Sequence, residues 1–428
     1  MPVPSAKKPT KPLVLAVAII ALMLASSAKA RADVVTDWNA IAVQVTNTAP
    51  LRPGPTSVLD MAIVQIAVYD AIQAYEGDYE PYCASIAGTT GSPVAAAAKA
   101  ARDILVTRFP VQSAALGVHS TYLAYLASRG LSESDPGVAV GAAAAACILA
   151  RRANDGSFPS VPVIFTGINQ VGFWGFMPSN PPQAMVAPWF GSVTPFTLKS
   201  PSQFRPKSPP DLDSPGYTKA YDEVKNLGRL TASTRTAQQT ETAIFYNLNF
   251  GAVWNRLLRE VSTANVNNIS DSSRLFALAD MAMADSLIAA WDCKSHFVFW
   301  RPITAIRYGD LDNNPNTIGD ADWLPFITTP PYSDYTSGAN NISNSTLRSL
   351  ALFFGTDQMN FRVVTTNTNL PVPNQVRYYT SFSDAADEVV EARIYQGIHF
   401  RFADTEARQQ GKRVAQWAHS HFLRPVID

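Results

Sequence analysis

The sequence predicts an all-α protein of packed helix bundles, and three observations carry that expectation. Apolar residues recur at helical spacing, as Met61, Val64, Val68 and Ile72 do within "LDMAIVQIAVYDAIQAY" from Leu59 to Tyr75. Ala-rich stretches at 94–108 and 137–151 favour helix by propensity. No convincing strand alternation interrupts them. With 428 residues, 47% hydrophobic and 16% charged, the chain can bury a large core as one big or two modest globular domains; internal repeats are not evident.

The elements follow in order. Residues 1–32 carry Lys7, Lys8 and Lys11, an apolar run from Leu13 to Ala25, and Ala30-Arg31-Ala32 before Asp33. This is the outline of a secretory signal peptide, so a mature domain over 33–428 is expected to be secreted or periplasmic, without stable membrane insertion. The alternative is an uncleaved anchor, but the run is shorter than the roughly 20 residues a spanning helix needs. Cleavage would leave 29 Lys+Arg against 34 Asp+Glu, a mildly acidic balance that argues against a nucleic-acid partner. Cys83, Cys147 and Cys293 form no CxxC pair, so neither a disulfide framework nor a zinc site is indicated, and one intrachain bridge is the most they allow.

After a helical N-terminal third, residues 156–212 change character, with many prolines and the aromatics Phe173, Trp174, Trp189 and Phe190. An ordered connection is expected there, covering a pocket mouth or joining lobes at 33–155 and 213–428. Helical patterning resumes at "SPGYTKAYDEVKNLG", where Ser214 and Pro215 suit a cap and first turn and Gly228 a stop. It runs on through "TRTAQQTETAIFYN", "GAVWNRLLREVSTAN" and "SSRLFALADMAMADSLIAAWDCKSHFVFW".

Three segments could carry chemistry. In "KSHFVFWRP", Lys294 and Arg301 are expected on one helix face about 10 Å apart, with Phe297 and Val298 between them. Neither has an acid three or four positions away, so distant carboxylates or a bound anion must neutralise them; by itself the segment favours structural ion pairs. In "ARIYQGIHFRF", Arg393 and His399 sit on either side of Gly397, which can break the helix and turn the imidazole back. A lone His is more often structural, but this one has two arginine neighbours. "TPPYSDY" cannot be helix because of Pro330 and Pro331, and "TSGANNISNSTLRSLALFF" then opens a helix whose free N–H groups attract anions. A calcium loop at "DLDNNPNTIGDAD" is rejected, because Pro315 and Ala321 stand where glycine and glutamate are needed beside Asp310, Asp312 and Asn314.

Taken together, Lys294-x6-Arg301-Pro302, Ser337-Gly338 and Arg393-x5-His399 resemble the vanadium-dependent haloperoxidase and type 2 phosphatidic acid phosphatase (PAP2) superfamily. The wording of "KSHFVFWRPITAIR", "TPPYSDYTSG" and "RIYQGIHFRFAD" looks more like the bacterial-type soluble haloperoxidases. The resemblance implies the helical bundles of that family. It also implies a vanadate or phosphate oxyanion held by Lys294, Arg301, Arg393, Ser337 and the Gly338 N–H, with His399 as vanadium ligand in a peroxidase or nucleophile in a phosphatase. Vanadate as cofactor, phosphate as its competitor, and hydrogen peroxide, halide and a small organic acceptor as partners follow from the same resemblance, while homo-oligomerisation stays open. The resemblance implies chemistry that is non-redox at the metal, with vanadium as a Lewis acid that activates peroxide for attack by halide.

His399 needs a neutral nitrogen for either role, so an acceptor must hold its other N–H; Asp404 is the downstream candidate. The sequence departs from the family pattern where an acid/base histidine usually follows Ser-Gly: position 339 is Ala339. Of the remaining histidines, His119, His296, His419 and His421, His296 is nearest in sequence but about 200° around the helix from Lys294. Asn340 offers a hydrogen bond but no base, and Ala392 replaces a further family serine. The expectation is oxidation of bromide or iodide rather than chloride; an acid phosphatase and a secreted oxyanion binder without turnover are the alternatives.

Overall fold

The computed structural model describes residues 33–48, 52–83, 86, 90–176, 183–367 and 374–426. The expected signal peptide at 1–32 lies outside the described residues.

The N-terminal helices are α1 (Val34–Thr48), α2 (Ser57–Glu76), α3 (Pro93–Arg108), α4 (Pro110–Ala115), α5 (Val118–Ser128) and α6 (Gly137–Arg152). Alanines at 95–98, 100 and 101 are buried, and these small side chains let α3 lie close against α2 and α6. Helix α2 is long and apolar enough to cross a membrane, yet its most apolar window is 89% buried in the core.

Helices α7 (Pro215–Leu227), α8 (Ala237–Phe245), α9 (Phe250–Asn265), α10 (Ile269–Phe297) and α11 (Pro302–Arg307) follow. The Ser214 hydroxyl accepts the Tyr217 N–H, Pro215 opens α7 and Gly228 ends it, as expected. Thr236 and Gln239 close a capping box on α8. The last elements are α12 (Gly338–Phe354), β1 (Gln358–Val364), β2 (Val376–Ser381), α13 (Phe382–Tyr395) and α14 (Arg401–His421). One apolar core runs through both halves of the chain, from Val34 through Trp254 and Trp291 to Leu423.

The expected helical fold class holds, with two local corrections. The protein is mostly helical, but β1 and β2 form an antiparallel pair, with Phe361 opposite Tyr379 and Val364 opposite Val376. Only Phe361 and Val363 of β1 turn inward to burial, too brief an alternation to stand out in a helical sequence. The second correction concerns Lys294 and Arg301, which do not share a helix. Helix α10 ends at Phe297, Val298 is left-handed (φ 50°, ψ 32°), and Arg301 is extended (φ −85°, ψ 157°) as the cap of α11. The physical reason is Pro302, whose ring disfavours the helical conformation at the preceding residue.

The 156–212 connection is ordered over its described residues and laces onto the break after α10. Trp174 N–H donates to Val298 O (2.6 Å), Trp300 N–H to Gly172 O (3.1 Å), and Val186 N–H to Pro331 O (2.9 Å). Farther along, the N–H groups of Phe196, Thr197 and Leu198 donate to the buried Asp285 carboxylate of α10. Trp174, Gly175 and Gln183 border a cavity of about 520 Å³ that reaches Arg301.

Candidate oxyanion site

Three chain breaks deliver the polar side chains to one buried place. Lys294 comes from the last turn of α10 and Arg301 from the cap of α11. Arg393 lies near the end of α13; beyond it Gly397 adopts φ 77° and carries the chain around to His399. That conformation, open to glycine, is what the sequence required at this position. The fourth contribution is the N-terminus of α12, where Ser337 is the cap residue without capping its own helix. Helix α14 approaches α12 closely at Gly411, where an added Cβ would stand 2.5 Å from Asn341 O.

Lys294, Arg301, Ser337 and His399 are at most 1% exposed, and Arg393 is 8% exposed. Lys294 Nζ donates to the carbonyls of Ser333 (2.8 Å) and Asp334 (3.0 Å) and faces the Tyr332 ring. Arg301 donates to Tyr332 O (2.7 Å) and Ile398 O (2.6 Å), and its NH1 stands 3.1 Å from His399 Nε2. Arg393 NH1 donates to Gln396 Oε1 at 2.5 Å, while the Gln396 amide is tied to Ala243 O. The ion pairs favoured for the first segment reduce to one distant contact, Arg301 NH1 to Asp334 at 3.6 Å.

Burial dominates the electrostatics. Desolvation pushes the Lys294 pKa well below its usual value, with Arg301 adding repulsion, and lowers that of Arg301 as well. It brings Arg393 down to about 10. His399 is pushed well below the usual imidazole range by burial, then by Arg301, Lys294 and Arg393, so its ring is neutral.

The carboxylate beside the imidazole is Asp334, not Asp404: His399 Nδ1 lies 2.6 Å from Asp334 Oδ1, an ion-pair contact. A carboxylate this close to Nδ1 favours the tautomer with the proton on Nδ1 and the lone pair on Nε2, although Arg301 NH1 approaches both nitrogens, at 3.3 and 3.1 Å. Asp404 turns instead toward the start of α12, where its Oδ1 accepts the Asn340 amide at 2.8 Å. Burial raises the Asp404 pKa to about 8, against the pull of the nearby Ser337 hydroxyl, and that of Asp334 to about 7, against Arg301 and Lys294. Asp334, Tyr332, Gln396 and Asn340 are thus the site residues that sequence reasoning missed or undervalued. Asp334 stood inside the quoted "TPPYSDYTSG" and was the signal to use, an acid beside two cations that lacked one.

The donor set fits a tetrahedral oxyanion. Arg301 NH2, Arg393 Nε and the Ser337 hydroxyl are buried without a well-formed hydrogen bond, and no side chain caps the first turn of α12. Buried donors of this kind are costly unless an acceptor arrives. Ala339 is half-buried and lines a neighbouring cavity of about 390 Å³ together with Gly338 and Arg393. His296 is exposed, which removes it as a replacement base. Asn341 and Asn344, two potential glycosylation positions, are buried inside α12.

Comparison with known proteins agrees with this geometry. Residues 274–427, which carry every one of these groups, match the family of the VCPO second helical-bundle domain. The structure is similar to that described as the first bacterial vanadium-dependent iodoperoxidase, with a TM-score of 0.75 and 22% identity over 92% of this chain and 98% of that one. The chain has the fold of the vanadium haloperoxidase superfamily. An apo-type bacterial vanadium-dependent chloroperoxidase gives a TM-score of 0.66 at 18% identity, over 86% of this chain and 93% of that one. Vanadium chloroperoxidase of Curvularia inaequalis is 23% identical over 316 residues, 58% of this chain. The chain spans about half, 51%, of that relative's length. The superfamily resemblance read from the three motifs therefore holds.

Proposed function

We propose that the protein is a vanadate-binding haloperoxidase that oxidises bromide or iodide, rather than chloride, with hydrogen peroxide. The observation that carries the reading is the cluster of buried Lys294, Arg301 and Arg393 with unspent donors around a neutral His399. Lys294, Arg301, Arg393, Ser337 and the Gly338 N–H would hold the oxyanion, with His399 Nε2 as the metal ligand. Bound vanadate would supply a Lewis acid that activates peroxide toward halide. The protein's own task is electrostatic. Lys294, Arg301 and Arg393 in this buried site would withdraw electron density from the bound oxygens, and Asp334 beside Nδ1 would favour the metal-binding tautomer of the imidazole.

Ala339 leaves the pocket without the usual proton carrier, and loss of one acid/base group costs about 10²–10⁴ in rate. Chloride, the hardest of the three halides to oxidise, suffers first. Loading the purified protein with orthovanadate and assaying bromination and iodide oxidation with peroxide tests the reading. Rates above protein-free vanadate are expected, and their absence would overturn it.

One observation favours a second reading, an acid phosphatase with His399 as nucleophile. Asp404, raised to about 8, carries a proton at neutral pH close to the turn and could serve the leaving alcohol. Hydrolysis of an aryl phosphate by the metal-free protein, lost in Asp404→Asn, would favour it over the peroxidase. Export of the mature chain belongs to the proposal on the strength of residues 1–32.

A further inference from the structure

The fold sorts three cysteines that are widely spaced in sequence into a facing pair and a separate third. All three are free thiols in the structure. Cys83, just past α2, is buried in the apolar core, and Cys147 of α6 is half-buried against the same core. A side-chain hydrogen bond joins the two thiols; burial first, and then this contact, pushes the Cys83 pKa up. Cys293 has a different partner. It is fully buried in α10, where its sulfur accepts from Gln410 Nε2 at 3.3 Å.

The pairing is set by the backbone. The peptide group between Tyr82 and Cys83 is clamped on both edges: its carbonyl accepts from Arg151 NH1 at 3.1 Å, and its N–H donates to Asp70 Oδ2 at 3.0 Å. The Tyr82 N–H takes the other Asp70 oxygen at 2.8 Å, and the Arg151 guanidinium lies 4.6 Å from the centre of the Tyr82 ring. Arg151 stands about one helical turn after Cys147 on the same side of α6, and helical side chains lean toward the N-terminus. The clamp therefore holds Cys83 against the turn that carries Cys147. Helix α6 is itself fixed, pressed so closely on α3 that a Cβ at Gly141 would stand 2.1 Å from Ala96 O.

We propose that Cys83 and Cys147 are a disulfide-forming pair, oxidised by a peroxide, and that the bridge staples the segment after α2 to α6. It closes the chain over residues 83–147, around α3, α4 and α5, while Cys293 stays a thiol. The half-buried Cys147 meets the oxidant first. Its sulfur takes one oxygen of hydrogen peroxide to become a sulfenic acid, and the other oxygen leaves as water. The Cys83 sulfur then attacks the sulfenic sulfur: the S–S bond forms, the S–O bond breaks, and a second water leaves. Two thiols lose two electrons and two protons, and one peroxide is reduced to two waters. Export on the strength of residues 1–32 would place the pair where such bridges persist. The inference is independent of what fills the oxyanion site.

The test takes the full chain, purified with reductant and desalted, before and after treatment with hydrogen peroxide. Titration of the denatured protein is expected to fall from three thiols to one, and a non-reducing peptide map to join Cys83 to Cys147. The oxidised form should melt about 5 °C above the reduced form, because the bridge constrains a long loop of the unfolded chain. Cys147→Ser should erase that gap. Three thiols in the folded, peroxide-treated protein, a bridge to Cys293, or Cys147 driven to sulfinic acid without a bridge would overturn the inference. So would a bridge that leaves the melting temperature unchanged. Should Cys147→Ser misfold by circular dichroism, the peptide map and the melting gap of the wild type decide.

Discussion

Two buried polar clusters on the same long helix α10 contrast sharply. At Asp285, the carboxylate collects the N–H groups of Phe196 (2.6 Å), Thr197 (2.7 Å) and Leu198 (3.1 Å) and the Thr197 hydroxyl (2.5 Å). That acid is saturated from within the chain and pins the connection to the bundle. Two turns farther on, Lys294 opens a cluster in which Arg301, Arg393 and Ser337 each keep a buried donor without a partner, beside unpartnered oxygens of Asp334, Asn340 and Asp404. Burial is alike in the two places, so burial alone does not mark function. Unpaired polar groups do, because a buried donor without an acceptor is retained at a cost that a ligand can offset.

The contrast can be sharpened or broken by substitution. The largest effect is expected from Ala339→His, which returns a proton carrier to the donor-rich cluster: bromide oxidation by the vanadate-loaded protein should rise by about two orders of magnitude. An unchanged rate would mean that position 339 does not limit turnover. Arg393→Ala removes a charged donor and should weaken vanadate about 10–100-fold in a calorimetric titration, since hydrogen bonds to charged groups contribute about 1.5–3 kcal/mol. Asp334→Asn leaves the donors in place but releases the imidazole tautomer, and should cost about 10-fold or more in vanadate affinity. On the saturated side, Asp285→Asn should leave vanadate affinity unchanged while lowering stability by about 1–3 kcal/mol in urea unfolding. A loss of vanadate binding there would erase the distinction between the clusters.

The smallest effect concerns pH. The Asp404 pKa is raised from 3.8 to about 8 in the fold, so between those values the folded protein keeps a proton that the unfolded chain has lost. The Asp404 contribution to stability therefore falls as pH rises through this window. Asp404→Asn, neutral throughout, should match wild type near pH 4 and melt progressively higher than wild type toward pH 8. A constant difference across that range would mean that Asp404 is ionised throughout it.

Much of this was legible in local strings. Lys294, Arg301, Ser337, Gly338, Arg393 and His399 were each visible, and Gly397 announced the break that turns the imidazole. The break before Arg301 is equally readable from Pro302, whose sterics override the helical spacing of Lys294 and Arg301. Nearness in sequence favours Asp404 as the acid beside His399, whereas the fold brings up the far more distant Asp334, next to the turn, and points Asp404 at Asn340. The cavity beside Ala339 had no sequence signal at all. Its walls come from residues near 58, 250, 290, 332 and 342, which only tertiary packing assembles.

The central claim is that the buried donors are organised for an oxyanion, and isothermal titration of the purified protein with orthovanadate tests it most directly. Binding at one site per chain, competed by phosphate and weakened in Arg393→Ala, is the predicted result. No binding of either anion, with the protein folded, would contradict the account.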